Sequence, residues 1–344
     1  MKKYNNPVKV IFIEPPSSSG PGHQILILKI TGSTPVGGTR ILKSTFMKNQ
    51  AQYIWLNGKF IPFAKAKIHL LNHSLHYGSA VFEGVRCYDT PKGPAVFRLK
   101  EHVDRLFHSA KVMGMKIPYS QKTIIKTVGD LIKKNKLKEC YVRPIIFYGE
   151  KMGLSPIGAP LYFAIAAWPW GKYLGHDSVR VHISKYIRIH PKSSEMTAKI
   201  SGHYANSIIA SLEASKSAAD EALLLDYEGS IAEGPGENIF FVKGNDIFTP
   251  GKGTILPGIT RDSVIKIARD LGYKIIEKKI KAGEIKNFDE AFFVGTAAEI
   301  STIGRIDKCI FKKKPEVASV IQSIYDDAVR GKIGKYDKWL AYVK

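Results

Sequence analysis

Apolar residues follow two rhythms along this chain. In "QYIWLNGKFIPFAKAKI" they alternate around Asn57-Gly58, a dipeptide suited to a two-residue turn, so a strand hairpin is predicted there. "PAVFRL", "YVRPIIFYG" and "LYFAIAAWPW" read as further strands, as do "VRVHISKYIRI", "EALLLDYEG", "ENIFFVKG" and "DIFTP". The helical rhythm appears in "LKEHVDRLFHSAKVMGM", which places Val103, Leu106, Phe107 and Ala110 on one face. "QKTIIKTVGDLIKKN" does the same with Ile124, Ile125, Val128 and Ile132. A third helix is predicted over 260–271, stopped by Gly272, and "EAFFVGTAAEI" is a strand running into a turn.

Residues 1–46 stand apart. They contain "EPPSSSGPGHQ" and "GSTPVGGTR", and carry six basic residues against one acidic before Met47. A flexible extension is expected here, or an upstream stretch joined to a natural start at Met47. "VIFIEPP" breaks at a proline pair too early to be a signal peptide. The mixed elements of 47–168 predict a small α/β domain, and "PWGKYLGHDS", 169–178, an interdomain linker. The strand-dominated stretch 179–344 predicts a larger β-rich domain. The class expected is α+β.

Composition changes this picture little. At 344 residues, 44% hydrophobic and 24% charged, the chain is ordinary for a two-domain globular protein. The formal charge of +22 invites a nucleic-acid partner. Its lysines, however, spread over helix-like stretches, and no RNP, zinc-finger or arginine-rich motif accompanies them. No nucleic-acid partner is expected, and a basic nucleic-acid-binding protein is the remote alternative. No apolar run is long enough to span a bilayer, so no membrane partner is expected either. Cys87, Cys140 and Cys309 are isolated, which fits a reducing cytoplasm and offers no disulfide framework.

Several stretches carry candidate chemistry. His69, His73 and His76 of "IHLLNHSLHYG" would align on a helix like metal ligands, but no carboxylate or cysteine joins them. Packing histidines and no metal are expected. Lys199, in "EMTAKISGHYANS", is an ammonium among small and apolar neighbours. In "LPGITRDSVIKIARDLG", Pro257 and Gly258 turn the chain, and the free N–H groups of Ile259 and Thr260 with the threonine hydroxyl suit an anion. "GTAAEI" offers Thr296 and Ala297 at a second strand-to-turn junction, and Arg105 of "EHVDRL" is a third candidate phosphate partner. Glu233, beside the Gly-Pro-Gly turn of "SIAEGPGENIFF", could hold a pyridine nitrogen protonated. Together these residues supply what pyridoxal phosphate needs: an amine for a Schiff base, a pyridinium partner and a phosphate cup.

With these motifs the chain resembles the class IV aminotransferases of the pyridoxal phosphate fold type IV, and within them the bacterial branched-chain aminotransferases. The resemblance covers nearly all of 50–344. It rests on "YIWLNGKF", "HYGSAVFEGVRCYDTPKGPAVFRLKEHVDRL", "YVRPIIFYG", "TAKISGHYANS", "EGPGENIF", "LPGITR" and "GTAAEI", in that order. It implies the two-domain fold of D-amino-acid aminotransferase-like enzymes. It implies that Lys199 is the Schiff-base lysine, Tyr204 the partner of the cofactor's phenolic oxygen and Glu233 that of the pyridine nitrogen. Arg105, Ile259, Thr260 and Thr296 would hold the phosphate. His203 stands where Asn is often found in this family.

The activity implied is ping-pong transamination between L-Leu, L-Ile or L-Val and 2-oxoglutarate, giving branched 2-oxo acids and L-glutamate. Phe82, Trp170 and Tyr204 would wall an apolar pocket. Tyr141 with the Ala297 N–H, and Arg143 with Tyr77, would meet the α- and distal carboxylates. Arg86 and Thr296 complete the substrate set. The resemblance assigns Tyr77 and Leu154 to a partner subunit's site, which makes a homodimer the minimal active unit and a hexamer its larger assembly. D-amino-acid aminotransferase and aminodeoxychorismate lyase, which share the lysine, glutamate and phosphate residues, are the alternatives of the same fold type.

Overall fold

The computed structural model describes residues 51–171, 178–311 and 315–343. The predicted N-terminal extension and positions 172–177 of the predicted linker lie outside the described residues. The hairpin forms as the pattern requires. β1 (Tyr53–Leu56) and β2 (Lys59–Pro62) pair antiparallel, and Asn57 and Gly58 take φ angles of 45° and 90°. Next come α1 (His73–Tyr77), β3 (Ala80–Phe82), β4 (Val85–Tyr88) and β5 (Ala95–Phe97). After them lie α2 (Leu99–Val112), α3 (Gln121–Lys134), β6 (Cys140–Tyr148) and β7 (Leu161–Trp168).

These strands make one antiparallel sheet in the order β5-β4-β6-β7-β1-β2, with β3 also on β6. The apolar faces of α2 and α3 close over it. Leu106, Ile124, Val128 and Leu131 are fully buried with Trp55, Ile146 and Ile165. Each fully buried Leu or Ile contributes roughly 1.5–3 kcal/mol.

A second sheet follows the linker. β8 (Val179–Ile183), α4 (Tyr204–Lys216), β9 (Glu221–Leu225), β10 (Ile231–Glu233), β11 (Asn238–Lys243) and β12 (Asp246–Thr249) lead to α5 (Ile259–Asp270). The chain continues through β13 (Lys274–Glu277), β14 (Glu290–Gly295), β15 (Glu299–Ile306), β16 (Cys309–Ile310) and α6 (Glu316–Val329). The strand order is β10-β9-β8-β15-β14-β11-β12-β13, with β16 on β15, and the pairs β8–β9, β8–β15 and β12–β13 are parallel. Both faces of its central strands are covered, so their sequences are nearly continuous apolar runs. Phe240 and Phe292 stack at 5.2 Å beneath α5 and α6, while Phe241 and Phe293 fill the opposite face. β17 (Leu340–Tyr342) returns to pair with β5 of the first sheet.

Three helices go beyond the sequence expectation, α1, α4 and α6. In α4 the buried positions are the small Ser207, Ala210 and Ala214, whereas Ile208, Ile209 and Leu212 face outward. That inverts the usual signal of an amphipathic helix. The three histidines engage neighbouring protein atoms. His73 lies 2.6 Å from the Ser79 hydroxyl and 2.9 Å from the Gly153 carbonyl, the His69 Nδ1 accepts from the Leu71 N–H, and His76 meets the Leu70 carbonyl.

What positions the Lys199 segment is its contact with the first sheet. Val81 bridges Ile200, and the Phe82 N–H donates to the Lys199 carbonyl at 3.2 Å. The Ser109 hydroxyl of α2 accepts from the Lys199 N–H at 2.9 Å. At the next turn the Gly202 N–H donates to the Gly78 carbonyl at 3.0 Å. Gly78 has φ 65°, and a Cβ there would stand 2.7 Å from the Gly202 Cα. Gly78→Ala is therefore expected to destabilise the protein by about 2 kcal/mol or more, from left-handed strain and backbone contact together. The denaturant midpoint measures this, and an unshifted midpoint would contradict the contact.

Candidate active site

Lys199 precedes α4, and Tyr204 is the first residue of that helix, so the short turn between them brings their tips together. The Lys199 ammonium donates to the Tyr204 hydroxyl at 2.6 Å. The Phe82 ring lies beside both, 5.1 Å from Lys199 Nζ and 5.0 Å from the Tyr204 ring. Lys199 opens into a cavity. Arg105, Tyr204, Glu233, Ile259, Thr260 and Thr296 line the same cavity, so all seven residues expected to hold the cofactor are brought together.

Glu233 ends β10, where a bulge in the β9–β10 pairing alters the register. Its carboxylate is 5% exposed and fully engaged. Arg188 Nε donates to it at 2.7 Å, Asn238 Nδ2 at 3.0 Å and the Leu256 N–H at 3.1 Å. Burial raises the Glu233 pKa, and the Arg188 charge opposes that rise without cancelling it. Glu237, four residues on in the same wall, accepts from the Gly236 N–H at 3.0 Å. Burial, with Glu221 nearby, pushes its carboxyl up to about 8. His203 lies behind this wall, 2.5 Å from the Ser194 hydroxyl, and burial together with the Arg188 charge lowers its imidazole to about 4.

The opposite end is shaped for an anion. Gly258 caps α5 with no side-chain hydrogen bond, leaving the first N–H groups of the helix open to the cavity. Any larger residue is excluded, because a Cβ on Gly258 would sit 2.0 Å from the Asn238 Oδ1. Arg105 reaches across from α2 and donates to the Pro257 carbonyl at 2.9 Å. Its other edge meets Glu83, Nε at 2.6 Å and Nη2 at 3.0 Å, and His102 Nδ1 lies 2.7 Å from the same carboxylate. Burial would raise the Glu83 carboxyl, but Arg105 and His102 overcome it and hold the group well below the usual carboxylate range.

The expected substrate residues divide. Tyr141 and Arg143 share one face of β6, and Arg143 Nη2 donates to the Tyr141 hydroxyl at 3.2 Å. The Arg143 guanidinium also lies 4.7 Å over the Phe82 ring, while Tyr141 packs on Trp168 at 5.3 Å and Trp170 at 5.1 Å. Phe82, Tyr141, Arg143 and Trp170 thus form one wall, joined to Lys199 through Phe82. Ala297 follows Thr296 in the turn between β14 and β15. Arg86 turns elsewhere: it is buried against Glu139 and Glu299, 3.4 Å from each, and over the Tyr88 ring. Tyr77 and Leu154 are exposed, Leu154 by 84%, and neither lines this chain's cavity. The Gly153 N–H donates to the Tyr77 hydroxyl at 3.3 Å, so the end of α1 and the loop carrying Leu154 adjoin.

Sequence reasoning missed Arg188, Asn238, Glu83 and His102. Glu83 carried a usable signal, a charge inside the apolar run "SAVFEGVRCY", the same anomaly that marks Lys199. Arg188 had none, because one more cation in "SKYIRIHPK" is unremarked in so basic a chain.

A pH dependence follows from Glu237. The folded protein holds this proton up to about pH 8, whereas the unfolded chain releases it near the ordinary 4.5, so its contribution to stability is lost as pH rises through that window. Glu237→Gln mimics the protonated acid and removes the titration. The wild type is expected to lose unfolding free energy relative to this variant between those limits. A constant difference across the window, measured by denaturant titration, would contradict the burial of an acid here.

Comparisons with known proteins place the chain in a family. The family model for class IV amino-transferases matches residues 80–306. A branched-chain-amino-acid aminotransferase of Pseudomonas aeruginosa is 43% identical over 305 residues, 87% of this chain and 99% of that protein. The crystal structure of a T.th. branched-chain amino acid aminotransferase complexed with N-(5'-phosphopyridoxyl)-L-glutamate superposes with a TM-score of 0.83 at 43% identity, covering 86% of this chain and 99% of that one. One from Thermoproteus uzoniensis, with norvaline, gives 0.82 at 40% identity, covering 85% and 99%. Matched along two thirds of its length and across the cavity-bearing elements, the chain belongs to the class IV aminotransferase family.

Proposed function

We propose that this protein is a branched-chain aminotransferase that uses pyridoxal phosphate to pass an amino group reversibly between L-leucine, L-isoleucine or L-valine and 2-oxoglutarate. The observation that carries this is the convergence of three features on one cavity. They are the Lys199–Tyr204 pair, the Arg188-bonded Glu233 and the uncapped start of α5 beside Arg105. The residues fit the cofactor. Open N–H groups and a guanidinium would hold its phosphate, and the Lys199 amine and the buried Glu233 carboxyl group stand ready for its ring. Buried Arg188 Nη1, with no hydrogen-bond partner, adds a donor in the same wall. The relatives' names support the substrate class.

Pyridoxal phosphate, when bound, supplies an aldehyde for imine exchange and a pyridine ring that accepts the electron pair released at the substrate Cα. The chain's own residues do the rest. Lys199 Nζ would be the amine that holds the cofactor's aldehyde and, as a free amine, the general base that takes the proton from Cα. Tyr204 fixes where that nitrogen points through their 2.6 Å bond. Glu233 would face the ring nitrogen with its carboxyl group, and Arg188 opposes the rise in its pKa that burial causes. Phe82 and the Tyr204 ring wall the Lys199 amine on their side.

Tyr141 and the Ala297 N–H would take the α-carboxylate, and Arg143 the distal carboxylate of glutamate, while Phe82, Trp170 and Tyr204 accept aliphatic side chains. Tyr77, at the end of α1, and Leu154, in a loop beside it, stand exposed with Leu70, Leu75 and Ile157, an apolar surface that supports a homodimer in which they complete the other protomer's site. A hexamer is the larger assembly proposed. No helix among the described residues is long and apolar enough to cross a membrane. A cytoplasmic location is proposed from the three cysteines, all free of disulfides.

Visible absorption tests the proposal. Protein mixed with pyridoxal phosphate should show a yellow band that L-leucine and L-glutamate each bleach, and Lys199→Ala should lack it or fail to respond. Bleaching by D-alanine and not by L-leucine would keep the family and overturn the substrate class. Arg143→Gln is expected to reduce kcat/KM for glutamate by about 2–5 kcal/mol while sparing leucine, as befits a lost charge pair. Equal losses for both substrates would remove Arg143 from this role.

A further inference from the structure

Glu83 sits between β3 and β4, 1% exposed, in a run of apolar residues where an unpartnered carboxylate would be strongly unfavourable. Its oxygens are saturated by one cation and its supports. Arg105 Nε reaches Oε1 at 2.6 Å, Arg105 Nη2 reaches Oε2 at 3.0 Å, and the Gly84 N–H lies 3.3 Å from Oε2. His102 Nδ1 approaches Oε2 at 2.7 Å. A carboxylate can only accept, so the Nδ1 of His102 must carry the proton.

Counting donors shows what this leaves. A guanidinium has five N–H groups. Two go to Glu83 and one to the Pro257 carbonyl, so one N–H remains on each terminal nitrogen of Arg105. The free Nη2–H lies on the terminal edge of the guanidinium, and with the Nη1–H of that edge it makes the fork that matches two oxygens of a phosphate when the Pro257 carbonyl takes the other Nη1–H. The fork belongs to the same cavity as Ile259, Thr260 and Thr296.

We propose that Glu83, backed by His102, is a positioning residue that locks the Arg105 guanidinium into a fork aimed at the cofactor's phosphate. This rests on the phosphate site assigned under Proposed function and deepens it. Without Glu83 a long arginine must lose its rotamer freedom on binding; with it that loss is met when the protein folds. Two effects compete, because the Glu83 charge also weakens the attraction of Arg105 for an anion. Direct, oriented contact outweighs the more distant repulsion, since a bidentate pair forms only if both N–H groups point correctly.

The test compares pyridoxal phosphate with pyridoxal, which lacks the phosphate, by titrating each into full-length wild type and Glu83→Gln and following the imine absorption. The variant should bind pyridoxal phosphate about 10- to 100-fold more weakly, the scale of charge-assisted hydrogen bonds, while pyridoxal changes by less than about 2-fold. Inorganic phosphate should also compete less well in the variant. Glu83→Asp, whose shorter carboxylate reaches one nitrogen, should fall between, and it carries the test if the glutamine variant does not fold. Equal weakening toward both ligands, or unchanged or tighter binding of pyridoxal phosphate, overturns the positioning role. A wild type that does not distinguish the two ligands overturns the phosphate site itself, and this inference with it.

Discussion

Two guanidinium–carboxylate pairs, Arg105–Glu83 and Arg188–Glu233, hold the walls of the cavity, and the chemistry depends on their being buried together. Each carboxylate is nearly without solvent, so each must be matched by donors or be neutralised. The matching joins distant parts of the chain. Arg105 comes from α2, Glu83 from the turn after β3 and the Pro257 carbonyl from the entry to α5. Arg188 follows β8 and meets Glu233 at the end of β10, which Asn238 of β11 in turn ties to the Leu256 carbonyl. Breaking one pair would strand a buried charge and release two elements at once.

The two sheets serve this arrangement differently. The first, a one-sided antiparallel layer covered by α2 and α3, presents Phe82, Tyr141 and Arg143 along neighbouring strands. The second is covered on both faces, and its turns carry Glu233, the α5 start and Thr296. Lys199 lies where they meet, its backbone bonded to Phe82 of β3 and to Ser109 of α2. Backbone hydrogen bonds and a glycine-to-glycine contact place Lys199, so its side chain is not needed to hold the segment.

Much of the fold was legible because its signals are local. The Asn57-Gly58 hairpin, the helix faces of α2, α3 and α5 and the strand runs "ENIFFV" and "EAFFV" follow from periods of two or 3.6 residues and from turn chemistry. α4 escaped because it buries alanine and serine and exposes isoleucine and leucine, a pattern that makes sense only once its surroundings are known. The cavity was legible in part: Lys199, Glu233, Thr260 and Arg105 announce themselves by residue type beside a turn or in apolar company. Glu83 and Arg188 do not, since a carboxylate and a guanidinium become a pair only through distance.

The sequence by itself determined most of the element types, the turn residues and the set of chemical groups, because these depend on a residue and its near neighbours. Strand order, the return of β17 to β5 and the meeting of Arg105 with Glu83 were decided by tertiary structure alone. The physical reason is that burial and charge pairing act between surfaces. Glu83 and Pro257 are far apart along the chain and share one arginine only because apolar burial brings β3, α2 and the start of α5 together.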